Sequence, residues 1–404
     1  MIKVRLMTMM FLQFFVWGAW YVTVGNYMAK IGMTDEIYWA YTVSPIGAII
    51  SPFFLGIVAD RFFATEKVLG VLHIIGGIAM LAAPFFAEGS LASPPLFITF
   101  LLIHMLCYMP TVGLANALVF HHIKTQEKEF PIVRALGTIG WIVANLLVSG
   151  ILGADETATP LRVAGFSGIL LGLFSFSLPH TPPSGAGQKI SVRQIIGLDT
   201  LSKFKDKPFV VFTISSLLIC IPLAAYYSYA PVLVNAVGIA NPAAKMSFGQ
   251  VSELVFLFLM PFFFARLGVK KMLLVGMLAW VLRYVLFAAG APDAVVWMIM
   301  GGIILHGICY DFFFVTGQIY VDKKATPEIR AQAQGFLVFI TYGVGMLIGA
   351  QVTGRLFNQI VTGSGSEALA QYQLFWVIPA VFAAVVMLMF AFLFSDKLSS
   401  TESS

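Results

Sequence analysis

Charge is what this chain has least of: Asp, Glu, Lys and Arg make up only 11% of its residues, against about 25% in an ordinary soluble domain. That scarcity excludes a water-soluble globule. Cysteine is scarce too. Cys107, Cys220 and Cys309 all fall inside apolar runs, which excludes a disulfide framework and leaves buried structural thiols. Period-two alternation is missing, so a membrane β-barrel is excluded. Metal-ligand spacings, an H-E-x-x-H helix, a G-x-S-x-G elbow and a Walker loop are all absent. No nucleophile and base stand together, so no enzyme and no cofactor are expected. The net charge of +5 is scattered through short loops without a basic patch, which argues against nucleic acid as a partner.

What is present is apolar length. The chain is 59% hydrophobic with a mean hydropathy of +0.90. Runs of about 20 apolar residues, the length of a helix across a bilayer, recur from end to end. Twelve spans are predicted, near 6–28, 38–58, 67–87, 95–120, 131–152, 161–179, 208–234, 246–265, 271–290, 295–319, 332–354 and 371–395. The first run begins at Leu6 and has no small-residue cleavage site, so it reads as a span rather than a signal peptide. The longest connection, from His180 to Lys207, contains Pro182, Pro183, Ser184, Gly185 and Gly187. It divides the chain into a bundle at 1–179, a linker at 180–207 and a bundle at 208–404, an all-α polytopic membrane protein of two six-helix bundles.

The basic residues orient the chain. With the N-terminus inside, eighteen of the 24 Lys and Arg residues fall in inner segments, four in outer segments, and Arg134 and Arg283 lie within spans. This bias predicts both termini in the cytoplasm. Within the linker, Ile190 to Phe204 has apolar residues at near-helical spacing with basic residues between them, as an amphipathic helix on the inner surface would; a solvated linker is the alternative. The halves also echo one another. Tight basic turns follow span 2 (GIVADRFFATEKVLG) and span 8 (ARLGVKKMLLVG), while VRALGTIG opens span 5 and IRAQAQG opens span 11. Parallel six-span repeats would leave such traces.

Of the nineteen acids, only Glu253 and Asp311 fall deep in apolar sequence. A carboxylate there costs about 2.5–3.5 kcal/mol on insertion scales, so each marks a candidate functional position. Gln250 lies three residues before Glu253 and shares its face; a structural ion pair between Glu253 and Arg283 is the competing reading. His306 and Tyr310, four apart, share a face beside Asp311 in ILHGICYDFFF. Desolvation disfavours the charged form of a carboxyl, so such a group can take up and release a proton. On span 5, Arg134, Thr138 and Trp141 share one face, with Gly137 and Gly140 allowing close packing. A guanidinium fork in a wet cavity suits a hydroxylated or anionic ligand, although Arg134 near a span start could instead reach the interface. Tyr226, Tyr227 and Tyr229 cluster on span 7 with Pro222 and Pro231, which can bend a helix and expose backbone to a cavity. Phe14, Trp17 and Trp20 recur at helical spacing on span 1. His73 and His104 read as packed or hydrogen-bonded residues. Gly56, Asp60 and Arg61 form a charged turn after span 2 that can act as a gating latch.

At these residues the chain resembles the nucleoside:proton symporter family of the major facilitator superfamily. The likeness runs over nearly its whole length. It is carried by FLQFFVWGAWYVTVGNYM, GIVADRFF, YMPTVGLANAL, VRALGTIGW, GQVSELVFLFLMPFFFARLGVKKM, LAWVLRYVLFA and YDFFFVTGQIYVDKKATPEIRAQAQG. The resemblance implies twelve helices in two domains, alternating access, and import of nucleosides driven by protons. It places polar pocket residues on Arg134, Thr138, Gln250, Glu253 and Asp311. The chain departs from the family on span 7, with Ala224 and Tyr227 where amide side chains are usual, and on span 10, with His306 where a tyrosine is usual.

The expected function is therefore a monomeric, proton-coupled importer of a nucleoside-like solute, its partners being that solute, protons and the bilayer. The expected ligand-binding residues are Arg134, Thr138, Trp141, Tyr226, Tyr227, Gln250, Glu253, His306, Tyr310 and Asp311. Glu253 and Asp311 would couple protons, and Asp60 and Arg61 would gate. The alternatives are import of another polyhydroxylated solute, such as a sugar or cell-wall fragment, and a membrane sensor on the same fold.

Overall fold

The computed structural model describes residues 2–54, 63–183, 206–326 and 329–395. Asp60 and Arg61, and the proposed amphipathic helix from Ile190 to Phe204, lie outside the described residues. Hydrocarbon offers no partner for backbone N–H and C=O groups, so apolar runs of this length must close their hydrogen bonds internally. The described chain is accordingly helical throughout: α1 (Ile2–Tyr21), α2 (Val24–Lys30), α3 (Ile37–Phe54), α4 (Thr65–Ala82), α5 (Pro94–His122), α6 (Gln126–Asn145), α7 (Thr159–Ser175), α8 (Lys207–Ala236), α9 (Pro242–Gly290), α10 (Val296–Ile304), α11 (His306–Tyr310), α12 (Thr316–Lys324), α13 (Arg330–Val338), α14 (Met346–Ile360) and α15 (Gly365–Leu393).

Among the described residues, nine helical stretches are long and apolar enough to cross a membrane. One of them, the 49-residue α9, is two helices joined at a kink where Gly268 adopts φ 64° and ψ 177°. Glycine carries that conformation without a Cβ clash. Two shorter apolar helices, α3 and α7, stand beside these. Proline sits in the first turn of α5, α7, α8 and α9, where its missing N–H costs nothing.

Three of the long stretches contain a π-helical turn: Leu146–Ile151 after α6, Asp311–Val315 between α11 and α12, and Phe339–Gly345 between α13 and α14. Span 10 runs as one helical stretch, Val296–Lys324, that tightens at Leu305 and opens into its π-turn at Asp311. Such turns insert one residue into the helix and are frequent at functional sites. Span 7 corrects a sequence expectation. Its prolines do not break it, since α8 runs unbroken through Pro222 and Pro231. Their carbonyls are engaged in packing, with Tyr284 Oη donating to Pro222 O (2.7 Å) and Asn26 Nδ2 to Pro231 O (3.2 Å).

The half before residue 183 and the half after residue 206 meet along α3 against α14 and α2 against α8, and where α9 crosses α6 and its following π-turn. At the end of the molecule bearing residues 31–36, 152–158 and 237–241, polar contacts cross between the halves. Asp155 accepts from Ala243 N (2.9 Å), Glu156 from Asn235 Nδ2 (2.8 Å), and the Asp35 carbonyl from Asn358 Nδ2 (2.8 Å). Gln351 donates to Thr42 Oγ1 (2.9 Å) slightly deeper. Small residues allow the approach: a Cβ on Gly25 would meet Ser228 O at 3.3 Å, and one on Gly354 would collide with Tyr38. At the end bearing the N-terminus, polar contacts join residues of the same half: Lys3 with Glu129, Arg5 with the Ser177 carbonyl, Glu66 with His180, Lys270 with the Ala391 carbonyl and Arg330 with Asp322.

Candidate ligand site between the halves

Side chains of both halves converge in mid-molecule. From the first half, Trp17 and Tyr21 on α1 meet Trp141 on α6, with ring centroids 5.6 and 6.1 Å away. The helices come this close because they meet at glycines: a Cβ on Gly18 would lie 2.9 Å from the Trp141 backbone, and one on Gly137 2.6 Å from the Phe14 ring. Arg134, one helical turn below Thr138, lays its guanidinium 4.1 Å over the Phe14 ring. Arg134 thus stays inside the molecule rather than reaching to the interface. Thr138 is half-buried on the same helix.

Behind this wall lies a buried polar network. His73 Nε2 and Gln13 Oε1 are 2.8 Å apart, Gln13 Nε2 donates to Thr111 Oγ1 at 2.7 Å, and Tyr108 Oη donates to the Gln13 carbonyl. His104 Nδ1 bonds the Gly76 carbonyl at 2.9 Å. His73 is thus bonded through Nε2 and His104 through Nδ1, while His104 Nε2 is buried without a partner.

The second half supplies the acids. Glu253 on α9 is half-buried, and its carboxylate interacts electrostatically with Arg134 across the interface. Asp311 is fully buried at the head of its π-turn, close enough to Glu253 to feel its charge, and its Oδ2 has no hydrogen-bond partner. Gln250 Oε1 is likewise buried without a partner. A buried unpaired polar atom costs about 1–3 kcal/mol. Asp311 Oδ2 and Gln250 Oε1 can each accept one further bond. Tyr310 stands beside Glu253, Arg134 and Asp311.

The competing reading of Glu253, an ion pair with Arg283, is not what the structure has. Arg283, itself fully buried, instead places Nη2 3.0 Å from His306 Nδ1 and donates from Nε to the Gly302 carbonyl at 3.1 Å. His306 Nε2 in turn stands 3.9 Å from Glu253 Oε2. Nor does the tyrosine cluster of span 7 act as one unit. Tyr227 faces the cleft and meets Tyr21 across it at 6.0 Å. Tyr226 is fully buried behind it, stacked on His306 at 5.3 Å. Tyr229 points away and stacks on Phe357 at 4.0 Å. His306 and Tyr310 share a face as their spacing requires, with ring centroids 5.7 Å apart.

Sequence reasoning missed Tyr21 and Tyr342. Tyr342, in the π-turn of the eleventh span, packs edge-on to Trp17 at 6.0 Å and so closes the aromatic ring of the cleft from the second half. Tyr21 could have been found, since it lies four residues after Trp17 on one face. Nothing around Tyr342 in the sequence distinguishes it. Among the described residues no His, Cys, Asp and Glu cluster could hold a metal ion.

The arrangement brings aromatic rings of both halves together with a guanidinium from one half and two carboxyls from the other. It suits a flat or ring-shaped ligand with hydroxyls. A sequence model of the family described as "Nucleoside H+ symporter" matches residues 1–399. The chain is 36% identical to YegT of Escherichia coli (strain K12) over 97% of its own length and 94% of that protein's. It is 31% identical to the nucleoside permease NupG of the same organism over 98% and 96% of the two chains. The crystal structure of the nucleoside transporter NupG superposes with a TM-score of 0.85 at 30% identity, over 98% of this chain and all of that one.

Proposed function

Because the chain belongs to the nucleoside H+ symporter family, we propose that it imports nucleosides together with protons by alternating access around the slot between its halves. The observation that supports this reading is Arg134 of one half acting on Glu253 of the other, with Asp311 near Glu253 and aromatic rings of both halves around them. The base stacks among Trp17, Trp141 and Tyr227, rings that tolerate any planar heterocycle. Arg134, Thr138 and Gln250 bond its polar edge or the sugar. Glu253 and Asp311 bind ligand or carry the proton, because a carboxyl in hydrocarbon that gives up its charge escapes the cost of desolvation. Tyr310 lies within reach of the charge of both acids, and His306 and Tyr226 support the carboxylate side.

We read the chain as twelve membrane crossings in two six-helix bundles, at 1–179 and 208–404. α9 counts as two crossings at its Gly268 kink, and α3 and α7 complete the set. The excess of basic residues at the end bearing the N-terminus puts that end, and both termini, in the cytoplasm of a bacterial inner membrane. The polar contacts that cross between the halves then seal the outer face, and the slot is reached from inside. Transport requires those contacts to break and reform as the bundles rock.

Uptake of labelled uridine into proteoliposomes under an imposed pH gradient tests the reading. Accumulation that follows the gradient and collapses with a protonophore is expected. No nucleoside uptake, or uptake indifferent to the gradient, would refute it.

A further inference from the structure

Arg283 is a cation with an unusual coordination. It is fully buried, and among the described residues no ion pair joins it to a carboxylate. Its neighbours are phenols, a thiol, a carbonyl and an imidazole. The guanidinium lies 4.0 Å over the Tyr226 ring, Nε donates to the Gly302 carbonyl, and Nη2 faces His306 Nδ1 at 3.0 Å. A guanidinium has only donors. The imidazole nitrogen facing it must therefore accept, so the single imidazole proton sits on Nε2. Tyr226, stacked 16° from parallel on the other side, keeps the ring from turning. Close contact of the His306 side chain with Gly249, where a Cβ would lie 3.0 Å from His306 Cβ, leaves little room for another rotamer.

The consequence lies on the opposite edge of the ring. The Nε2–H points toward Glu253 Oε2 across 3.9 Å. That is too long for a direct hydrogen bond, which needs about 2.7–3.2 Å. It is short enough for one oxygen to sit beside the line between them and bond both. The His306 side chain is almost wholly enclosed while that of Glu253 is 22% exposed and interacts with Arg134 of the other half, so the gap lies at the meeting of the halves. A fixed N–H donor beside a carboxylate acceptor is matched by a group that both accepts and donates, which is a hydroxyl. A ketone or ether oxygen satisfies only one side of the pair.

We propose that Arg283 is a positioning residue that fixes His306 in its Nε2–H form, and that His306 and Glu253 together read a sugar hydroxyl of the transported nucleoside. The inference rests on the nucleoside reading above and narrows it to substrates bearing that hydroxyl. It also gives a physical role to the one span-10 residue that departs from the family pattern. A tyrosine brings its own rotatable proton, whereas an imidazole needs its proton placed for it, and Arg283 does so.

The test is competition by 2′-deoxyuridine, 3′-deoxyuridine and 5′-deoxyuridine against uptake of labelled uridine in proteoliposomes, on the full chain and on H306F and H306Q. In the native chain one of the three analogues is expected to bind about 10- to 100-fold more weakly than uridine, the cost of stranding a bond to a charged group. H306F should flatten that ratio toward one, and H306Q, which keeps an amide donor, should restore part of it. A ratio unchanged in both variants, or no discrimination among the analogues in the native chain, overturns the proposal and leaves the nucleoside reading standing; no uridine uptake by the native chain overturns both. Should H306F fold poorly, the analogue panel on the native chain and H306Q decides. Arg283 is tested separately by 15N NMR of the labelled histidines, with the His306 signal assigned by its loss in H306Q. A proton on Nε2 is expected in the native chain, and a mixture of the two forms in R283M. A proton on Nδ1 in the native chain would remove Arg283 from its role.

Discussion

Asp155 offers the sharpest test of how the face bearing residues 152–158 is held shut. Its side chain is buried there, where Oδ2 accepts from Ser149 Oγ at 2.7 Å and Oδ1 from Ala243 N at 2.9 Å. Ser149 belongs to the same half, so that bond survives any rocking of the bundles. Ala243 lies in the first turn of α9 in the other half, so Asp155 caps a helix to which it is not joined. Only this second bond distinguishes closed from open. Replacing a capping Asp by Ala costs about 0.5–2 kcal/mol. Burial pushes the Asp155 carboxyl above its ordinary range, so desolvation already offsets part of the bond, and the upper values for charge-assisted bonds do not apply. D155A should therefore shift the closed-to-open ratio by roughly 2- to 30-fold toward open, each 1.4 kcal/mol being about tenfold. D155N keeps an acceptor for Ala243 N without a charge to desolvate, and should hold the face shut at least as well as the native residue. Spin labels on the exposed positions Leu91 and Ala240, in a background lacking Cys107, Cys220 and Cys309, read the separation of the two halves. A distance distribution unchanged in D155A, or shifted as far in D155N as in D155A, would refute the reasoning.

The same residue predicts a pH dependence. The closed form, in which burial raises the Asp155 carboxyl, holds its proton more tightly than the open form with Asp155 in water. Acidifying the solution at that face should therefore favour closure, and the gain should vanish as pH rises through the raised value; the labelled pair should show this in the native chain and not in D155N. G354A should disfavour closure by about 1–3 kcal/mol, because its new methyl meets Tyr38 only when the face is shut, and the same distance measurement would detect it. D311N should abolish uptake against a gradient while sparing exchange of labelled for unlabelled uridine across proteoliposomes. Gradient-driven accumulation that persists in D311N would take the proton away from Asp311.

The helical membrane fold was legible because hydrocarbon allows a chain of this composition little else, and Glu253, Asp311 and Arg134 stood out because polarity in an apolar run is conspicuous. Helical spacing correctly paired His306 with Tyr310 and set Trp17, on the first span, on the same face as Phe14. Three things were not legible. Partner choice among buried polar groups depends on how helices rotate against one another, so the sequence left a Glu253–Arg283 pair open where Arg283 in fact meets His306. The three π-turns leave no periodic trace, since one added residue in a wholly apolar helix changes no visible pattern. Nor did the prolines of α8 reveal that the helix runs on through both, its packing contacts reaching the Pro222 and Pro231 carbonyls from Tyr284 and Asn26.

Arg283, with no acid of its own, has a consequence for energetics as well as geometry. Deep in the spans the sequence places two guanidiniums, Arg134 and Arg283, and two carboxyls, Glu253 and Asp311. With both acids ionised these four groups sum to zero. Each proton taken up makes the interior of the membrane domain positive by one charge. An inside-negative membrane potential then draws the loaded, protonated form inward, with up to about 2.3 kcal/mol per charge for each 100 mV of potential crossed. The empty, deprotonated form carries no net charge and resets without working against that field. The voltage, and not the pH difference alone, thus acts on the carrier, and it acts on the loaded half of the cycle.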